Sequence, residues 1–380
     1  MALTRLTVQD FRNYASLSLT IDAKLVVLTG GNGVGKTNLI ESISLLTPGR
    51  GLRRAAFEEI TRNGSENGWA VSATVSRDGE ETRIGTGLAG EPAGSERARK
   101  VRVNGAPASG PDILLDFLRV LWLTPSMDGL FAGPAADRRR FLDRLVLTVD
   151  PGHGRRARDF ERLLTHRNRL LDDDAAAAWL DAVEAELAER AVAVALARAE
   201  TVGLLCARIL AQAEAAPDFP AGRIGLSGAF DRAVAERRAA DAERWYRGVL
   251  ASGRAADRAA GRTLEGPHRS DLDIVFTEKD MPAARSSTGE QKALLIGLIL
   301  AHADLVANVS GMTPVLLLDE VAAHLDPARR SALFARLDAL GCQTFMTGAD
   351  PGLFADLPSA AGLYRVADNG VQPLKHGTPA

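Results

Sequence analysis

The 380-residue sequence has only two cysteines, Cys206 and Cys342, far apart and without metal-ligand spacing. This scarcity argues against a disulfide framework and a zinc site, and it is typical of a reducing compartment. The start, MALTRLTVQDF, lacks an apolar signal segment, and the longest apolar run, Ala293 to Ala301, is too short to span a bilayer. The sequence therefore predicts a cytoplasmic protein that does not enter a membrane.

Neither sign of charge dominates, because 46 Lys and Arg face 48 Asp and Glu, a formal net charge of -2. Any contact with nucleic acid must then come from a local basic patch rather than from the overall field. The length allows two domains or one elaborated domain with a packed core.

The segment LTGGNGVGKTNLIES, Leu28 to Ser42, has the P-loop spacing: Gly30, four residues, Gly35, Lys36 and Thr37. In this motif backbone N–H groups cradle phosphates, the lysine reaches the β- and γ-phosphates, and the threonine holds Mg²⁺. An apolar β-branched run precedes the motif and a helical apolar pattern follows it. The alternative is a glycine-rich turn that binds nothing, but the flanking patterns favour a site for ATP or GTP.

A second acidic motif, PVLLLDE, is an apolar strand that ends in Asp319 and Glu320. Alone it could be an ordinary acidic loop after a strand. Beside a P-loop it indicates a Walker B element, in which the first carboxylate supports Mg²⁺ and the second polarises the attacking water.

The segment RSSTGEQKALLIGLIL places Ser287 and Gly289 at the start of a strongly apolar helix. An open, positively polarised helix N-terminus suits a γ-phosphate, although an ordinary helix cap has the same composition.

The sequence divides into three segments with different predicted secondary structure. Residues 1–134 contain strands, the P-loop and a hairpin around Asp78-Gly79 that indicates a small antiparallel sheet. Residues 135–261 are an Ala-, Glu- and Arg-rich helical arm whose breaks exclude a long coiled coil. Residues 262–380 return to α/β texture, with SDLDIVF, PVLLLDEV and CQTFMTG as strands.

The signature-like helix, the Walker B strand and the following AAHLD segment with Asp326 resemble the ABC-type ATPases, which include transporters and SMC-like DNA proteins. Several further segments, in order from residue 3 to about residue 350, are similar to the RecF family of this group. They are LTRLTVQDFRNYASLSL, GGNGVGKTNLIESISLLTPGRGLR, LTPSMDGLFAGPAADRRRFLD, FERLLTHRNRLL, LEGPHRSDL and STGEQKALLIGLILAHADL.

The resemblance implies an α/β fold, a P-loop ABC-type (SMC-like) ATPase head with an inserted helical subdomain and no long coiled coil. It implies ATP and Mg²⁺ as cofactors and a homodimer with two ATP molecules sandwiched at its interface. It also implies a slow, DNA-stimulated ATPase that clamps duplex or gapped DNA in recombinational repair and replication-fork maintenance. RecO and RecR would be its partners in loading recombinase at gaps.

By the same resemblance, Lys36, Asp319 and Glu320 would be catalytic, and Thr37 and Asp319 would hold the metal. Ser287 and Gly289 would serve the partner's ATP, and Asp326 belongs to the D-loop. The remaining nucleotide-binding residues would be Gly30, Gly31, Asn32, Gly33, Val34, Gly35, Asn38, Arg12 and Asn13. For Arg12 and Asn13, in FRNY, the alternative is a turn capped by asparagine.

Some positions depart from the wider ABC pattern. Met346, Thr347 and Gly348 stand where transporters place a switch histidine, so we expect slow hydrolysis. No glutamine loop is evident, and Ser126 and Asp128 occupy its region. The pair His268 and Arg269 could be catalytic, but a structural role is favoured.

Three arginine groups are candidate DNA contacts, although each could be a solvated face with locally paired charges. They are Arg50, Arg53, Arg54; Arg138, Arg139, Arg140; and Arg155, Arg156, Arg158, Arg167, Arg169 of the helical arm. Arginines with few aromatics suit the backbone of duplex DNA better than stacking on single strands. Other classes are a transporter ATPase, which the missing switch histidine and glutamine loop disfavour, and a DNA-binding protein that holds ATP without turnover.

Overall fold

The structure is a computed structural model that describes residues 1–89, 98–215, 219–367 and 370–374. These residues are divided between two compact units. The P-loop unit is built mainly from Met1–Asp128 and Thr288–Ala380, and the helical unit from Gly129–Ala215 and Pro220–Ser287. The helical unit thus takes in residues 262–287, which the sequence-based division placed in the C-terminal part of the ATPase head.

The strands, in chain order, are β1 (Ala2–Phe11), β2 (Tyr14–Thr20), β3 (Leu25–Thr29), β4 (Gly68–Arg77), β5 (Glu80–Ala89), β6 (Arg99–Val103), β7 (Ala106–Pro107), β8 (Val120–Leu123), β9 (Gly222–Ser227), β10 (Asp271–Phe276), β11 (Met281–Pro282), β12 (Val315–Leu318), β13 (Thr344–Gly348), β14 (Gly362–Ala367) and β15 (Gly370–Leu374). The α-helices are α1 (Lys36–Ser44), α2 (Ala135–Val149), α3 (His153–Asp172), α4 (Ala177–Ala215), α5 (Ala229–Ala235), α6 (Ala239–Ala259), α7 (Thr288–Ser310) and α8 (Pro327–Leu340).

One sheet of the P-loop unit carries both phosphate-binding motifs. Its strand order is β15-β14-β3-β13-β12-β8, and all neighbours are parallel except β14 and β15. Every residue of β3, β12 and β13 is buried, which explains why β3 and β12 have nearly continuous apolar sequences. Parallel pairing brings the carboxyl ends of β3, β12 and β13 to one edge of the sheet, where ligands bind in α/β folds.

The second sheet is antiparallel, in the order β2-β1-β4-β5-β6-β7. The predicted hairpin at Asp78-Gly79 is confirmed as the turn between β4 and β5. The inner face of this sheet, α1 and one face of the parallel sheet form one hydrophobic core, in which Val8, Ile40 and Val26 are all 0% exposed. The helix that follows the P-loop is therefore fixed on both sides.

Helix α7 is long and apolar enough, by length and composition, to cross a membrane, and within the described residues it alone passes that test. However, 67% of its most apolar window is buried inside the protein. It has the pattern expected of a core helix.

The helical unit contains a three-stranded antiparallel sheet, β11-β10-β9, beside α2 to α6. Strand β9 lies in the segment APDFPAGRIGLSG, which the sequence indicated only as a break between helices of the arm. Its alternation, with Arg223 exposed and Ile224 buried between two glycines, is too short to predict a strand.

Buried charges tie these helices together. Arg167, one of the candidate DNA contacts, is 0% exposed and donates to Glu184 at 2.9 Å, to Asp257 at 2.7 Å and to Thr263 at 2.7 Å. The expectation that Arg167 contacts DNA is therefore wrong, because its guanidinium is enclosed by its partners. Arg198 of α4 forms a bidentate pair with Asp143 of α2, at 2.8 Å for both bonds. Because charges this deeply buried are costly to leave unpaired, these contacts fix how the helices pack.

Candidate nucleotide site

The P-loop connects β3 to α1 at the carboxyl edge of the parallel sheet. Lys36 is 5% exposed, and its Nζ donates to the backbone oxygens of Gly30 at 2.7 Å and Gly31 at 2.8 Å. Burial lowers the pKa of Lys36, and the nearby carboxylates of Glu320 and Asp319 oppose that shift. The ammonium is therefore held inside the loop, and anionic phosphates are the partners that suit it best.

Two glycines of the loop are required by close contacts. Gly30 has φ +148°, and a Cβ there would lie 2.3 Å from the backbone oxygen of Val366. Gly35 has φ +108°, and a Cβ there would lie 2.6 Å from Asn13 Nδ2 and 2.7 Å from the Tyr14 hydroxyl. Gly31, Asn32 and Gly33 form the exposed rim of the loop. A larger side chain would push the loop off its supports.

The Walker B residues meet the P-loop directly. Thr37 Oγ1 donates to Asp319 Oδ1 at 3.0 Å, and the Thr347 hydroxyl donates to the same oxygen at 2.7 Å. The backbone N–H of Glu320 donates to Thr347 Oγ1 at 2.9 Å. Thr347, at the end of β13, therefore positions both acidic residues, a role that the sequence reasoning missed.

Glu320 has a left-handed backbone, with φ +54°. Glutamate rarely adopts this conformation, and such strain persists only where surrounding contacts enforce it. The hydrogen bond to Thr347 is one such contact.

The N-terminal FRNY segment touches the P-loop from the antiparallel sheet. Asn13 Nδ2 donates to Val34 O at 3.2 Å, and Asn38 Nδ2 donates to Asn13 Oδ1 at 2.7 Å. The Tyr14 hydroxyl donates to Gly35 O at 3.1 Å. The sequence singled out Asn13 but not Tyr14, although both hold the loop.

The fully buried carboxylate of Glu41, in α1, binds two arginines for which the sequence predicted different functions. Arg12 binds Glu41 through Nε at 2.9 Å and Nη2 at 2.6 Å. Arg53 binds Glu41 at 2.9 Å and Asn38 Oδ1 at 2.5 Å. The predicted nucleotide residue Arg12 and the predicted DNA residue Arg53 thus share one partner.

The signature residues lie at the surface. Ser287 and Gly289 are exposed at the N-terminus of α7, and a Cβ at Gly289 would meet nothing within 4 Å. The D-loop residue Asp326 caps α8, because its side chain accepts from the N–H of Arg329 at 2.9 Å.

The loop after β8 contains the two residues in place of a glutamine loop. Ser126 shares a 2.8 Å hydrogen bond with Thr124, and Asp128 pairs with Lys292 of α7 at 3.1 Å. Lys292 is 7% exposed, so Asp128 neutralises a largely buried charge.

The candidate DNA arginines differ in their surroundings. Arg50, Arg53, Arg54 and Arg140 are exposed, and Arg140 pairs with Asp137 one turn away. Arg139 is half-buried and donates to Ser270 O at 2.8 Å.

Arg138 is only 14% exposed. It forms a bidentate pair with Asp271, at 2.8 and 2.7 Å, and also donates to backbone oxygens of the loop before α2. These contacts are those of a structural arginine.

The pair His268 and Arg269 separates in the structure. His268 Nε2 bonds Thr263 O at 2.9 Å, and burial lowers the pKa of His268. Arg269 is exposed. A half-buried imidazole that bonds a backbone oxygen fits the structural role that we favoured.

The family model described as RecF/RecN/SMC N terminal domain matches residues 2–372. A DNA replication and repair protein RecF from Rhizobium rhizogenes is 53% identical over 370 residues, which cover 97% of this chain and 98% of that protein. The corresponding protein of Rhizobium meliloti is 54% identical over the same coverage. The chain belongs to the RecF family.

Solved structures agree on the fold. The recombination mediator protein RecF-ATPrS in the RecFOR pathway aligns over 98% of both chains with a TM-score of 0.85 at 22% identity. An Smc head bound to the C-winged helix domain of ScpA aligns with a TM-score of 0.56 at 14% identity. The predicted α/β SMC-like P-loop ATPase fold is therefore confirmed, as is the predicted RecF membership.

Proposed function

We propose that this RecF-family chain is an ATP-dependent DNA clamp of recombinational repair and replication-fork maintenance. The observation that carries the proposal is the meeting of Thr37 and Asp319 at 3.0 Å, which joins the P-loop to the Walker B strand. The relatives' name, DNA replication and repair protein RecF, supports the setting of DNA repair.

The donor set at this edge fits Mg²⁺. A hydroxyl and a carboxylate oxygen, from Thr37 and Asp319, are hard ligands of the kind that Mg²⁺ uses together with phosphates and water. Among the described residues, no three His, Cys, Asp or Glu side chains cluster where they could hold a metal. Thr37 and Asp319 supply only two ligands, so they suit a metal ion whose other ligands come from the nucleotide and water. When bound, Mg²⁺ neutralises phosphate charge during hydrolysis.

Each side chain then has a defined task. Lys36 binds the β- and γ-phosphates, and these contacts replace its hydrogen bonds to the carbonyl oxygens of Gly30 and Gly31. Glu320 accepts a proton from the attacking water, and Thr347 holds its backbone in the left-handed conformation. Because Met346, Thr347 and Gly348 stand where transporters place a switch histidine, we expect turnover to be slow.

We further propose a homodimer that closes on two ATP molecules. The exposed N-terminus of α7, with open space at Gly289, offers N–H groups and the Ser287 hydroxyl to a phosphate bound by a second copy of this chain. ATP then joins the two chains, and hydrolysis releases them.

DNA contact is proposed at the turn after α1. Arg50 and Arg54 are exposed, and Arg53 reaches Asn38, which adjoins Thr37 of the P-loop. Phosphates that draw Arg53 outward would loosen its bond to Asn38, so duplex binding and nucleotide binding affect each other. RecO and RecR are the proposed partners that read the closed state on gapped DNA.

Duplex binding measured with ATP, with ADP and without nucleotide tests this function. We expect tight binding only with ATP, and no such increase for Lys36→Met. Lys24→Met, which changes an exposed lysine outside the loop, is the matched control and should behave as the native chain. Equal binding in all three nucleotide states would refute the clamp, and ATP-gated binding without any turnover would favour a protein that only holds ATP.

A further inference from the structure

The outer face of the antiparallel sheet, opposite α1, forms a shallow trough of about 470 Å³ that the nucleotide site does not use. Two rows of cross-strand neighbours cross it. Ala70 of β4, Gly87 of β5 and Lys100 of β6 form one row, and Ser72, Gly85 and Arg102 form the next. We name these six residues the sheet-face trough.

The floor of the trough is kept low by two glycines inside a strand. A Cβ at Gly87 would lie 2.5 Å from the backbone oxygen of Trp69, and a Cβ at Gly85 would lie 3.3 Å from the Cβ of Ser72. Glycine weakens a strand, and it often marks a place where another backbone approaches closely. Here β4 approaches β5, and the result is a floor with almost no side chains.

Among the described residues, the lining of the trough has more basic than acidic side chains, although the whole chain carries a formal charge of -2. Lys100 and Arg102 of β6 and Arg83 of β5 are exposed there. The acidic residue in the described lining is Asp10, which is paired with Arg62 at 3.0 Å. An anionic occupant is therefore favoured by charge complementarity.

The spacing and chemistry of the trough suit a phosphate backbone. Lys100 and Arg102 lie two residues apart on the same face of β6, about 7 Å, which is the axial advance of roughly two nucleotides along one DNA strand. Trp69, the aromatic residue of the lining, is 2% exposed, so it offers no stacking surface to unpaired bases.

We propose that the sheet-face trough binds the phosphodiester backbone of duplex DNA, with Lys100 and Arg102 as its cationic contacts. This surface is distinct from the arginines after α1. The proposal rests on the proposed function, because it assumes that the protein binds DNA. Duplex lying on the floor would be contacted by Ser72 as a hydrogen-bond donor and would be read without sequence preference.

The test is a salt titration of duplex binding with ATP, comparing the native chain with the double variant Lys100→Ala, Arg102→Ala. Loss of two phosphate contacts should make the slope of log K against log salt less steep by roughly 1.8. Because the double variant releases fewer counterions on binding, its affinity for duplex at 0.15 M salt should be roughly 30-fold lower than that of the native chain. The control is Arg77→Ala with Lys24→Ala, two exposed basic residues of the same unit outside the trough, and it should retain more of the affinity and slope.

A photoreactive benzoylphenylalanine at Ser72 gives a second readout that does not depend on charge. We expect it to cross-link to duplex with ATP, whereas the same group at Arg77 should not. If the native chain binds duplex but the trough variant has the same affinity and slope, the trough proposal is wrong while the proposed function survives.

Two other results also discriminate. If the native chain binds no duplex in any nucleotide state, both proposals fall. If the trough variant binds DNA normally but loses binding to RecR, the face docks a protein and the DNA assignment is overturned.

Discussion

Thr347, at the carboxyl end of β13, donates a 2.7 Å hydrogen bond to Oδ1 of Asp319, at the end of β12. The same hydroxyl accepts the N–H of Glu320, so one side chain that is 1% exposed orients both acidic residues.

Replacing Thr347 with valine removes the hydroxyl and keeps the shape. Because Asp319 and Glu320 lose their common support, we expect the rate constant of ATP hydrolysis to fall roughly 100-fold. The lost buried hydrogen bonds should cost about 1–3 kcal/mol of stability. Steady-state hydrolysis and thermal unfolding measure both effects. Thr347→Ser is the control, and a valine variant that hydrolyses ATP as fast as the serine variant would exclude this positioning role.

The substitution Glu320→Gln should separate ATP binding from hydrolysis. An amide cannot take the proton of the attacking water, yet it leaves Thr37 and Asp319 in place. We expect a dimer that persists with ATP and Mg²⁺ in sedimentation velocity, whereas Asp319→Asn should dimerise poorly. A Glu320→Gln chain that stays monomeric at saturating ATP would count against the ATP-closed dimer.

A mixing experiment tests whether each site is shared between chains. Lys36→Met removes the phosphate-binding amine, and Ser287→Arg blocks the exposed start of α7. Each homodimer has two broken sites, but a mixed dimer combines the intact halves into one good site. Equal random mixing makes about half of the dimers mixed, so up to roughly a quarter of the native activity should return.

The control for mixing is a chain that carries both substitutions, combined with the native chain. Each site of that mixed dimer has one broken half, and no activity should arise from it. Sites built within single chains would instead show no recovery in the first mixture and half of the native activity in this one.

Acid should weaken the helical unit through Asp143. Burial raises the pKa of Asp143, but the hydrogen bond of His153 and the charge of Arg198 outweigh burial and lower it from 3.8 to about 2. A carboxylate with a depressed folded-state pKa stabilises the fold above pH 3.8, and this contribution is lost as the pH falls towards 2. The contribution of Asp143 to the free energy of unfolding amounts to about 2 kcal/mol.

Urea denaturation at pH 5 and pH 2.5 measures this loss. Asp143→Asn should be less stable than the native chain at pH 5, because Arg198 loses its partner, and should lose less on acidification. Asp137→Asn, on the same helix but half-exposed, is the control. An acid response that is unchanged in Asp143→Asn would show that other carboxylates dominate.

The sequence predicted the parts of the site that rest on local pattern. The run before Gly30, the apolar helix after Lys36 and the strand before Asp319 carry their structural period within ten residues, so strand, loop and helix follow directly. Strands such as β8, four residues long, carry too little pattern to be recognised alone.

The contacts that join distant segments could not be predicted in this way. Glu41 reads as one charge in a helix, and its burial depends on Arg12, which is 29 residues earlier. Thr347 similarly gains its role from the pairing of β12 with β13, which no local pattern specifies.

The central position of β3 has a consequence for how the protein is made. This strand leaves the ribosome early, but its neighbours β13 and β14 begin at Thr344 and Gly362. At about 5–20 residues per second, roughly 15–60 s pass between synthesis of Thr29 and of Thr344. During that interval β3 lacks both of its partner strands, and the whole helical unit is synthesised. The contacts of Asp319 with Thr37 and with Thr347 can form only near the end of translation, so the nucleotide site is among the last parts of the protein to be completed.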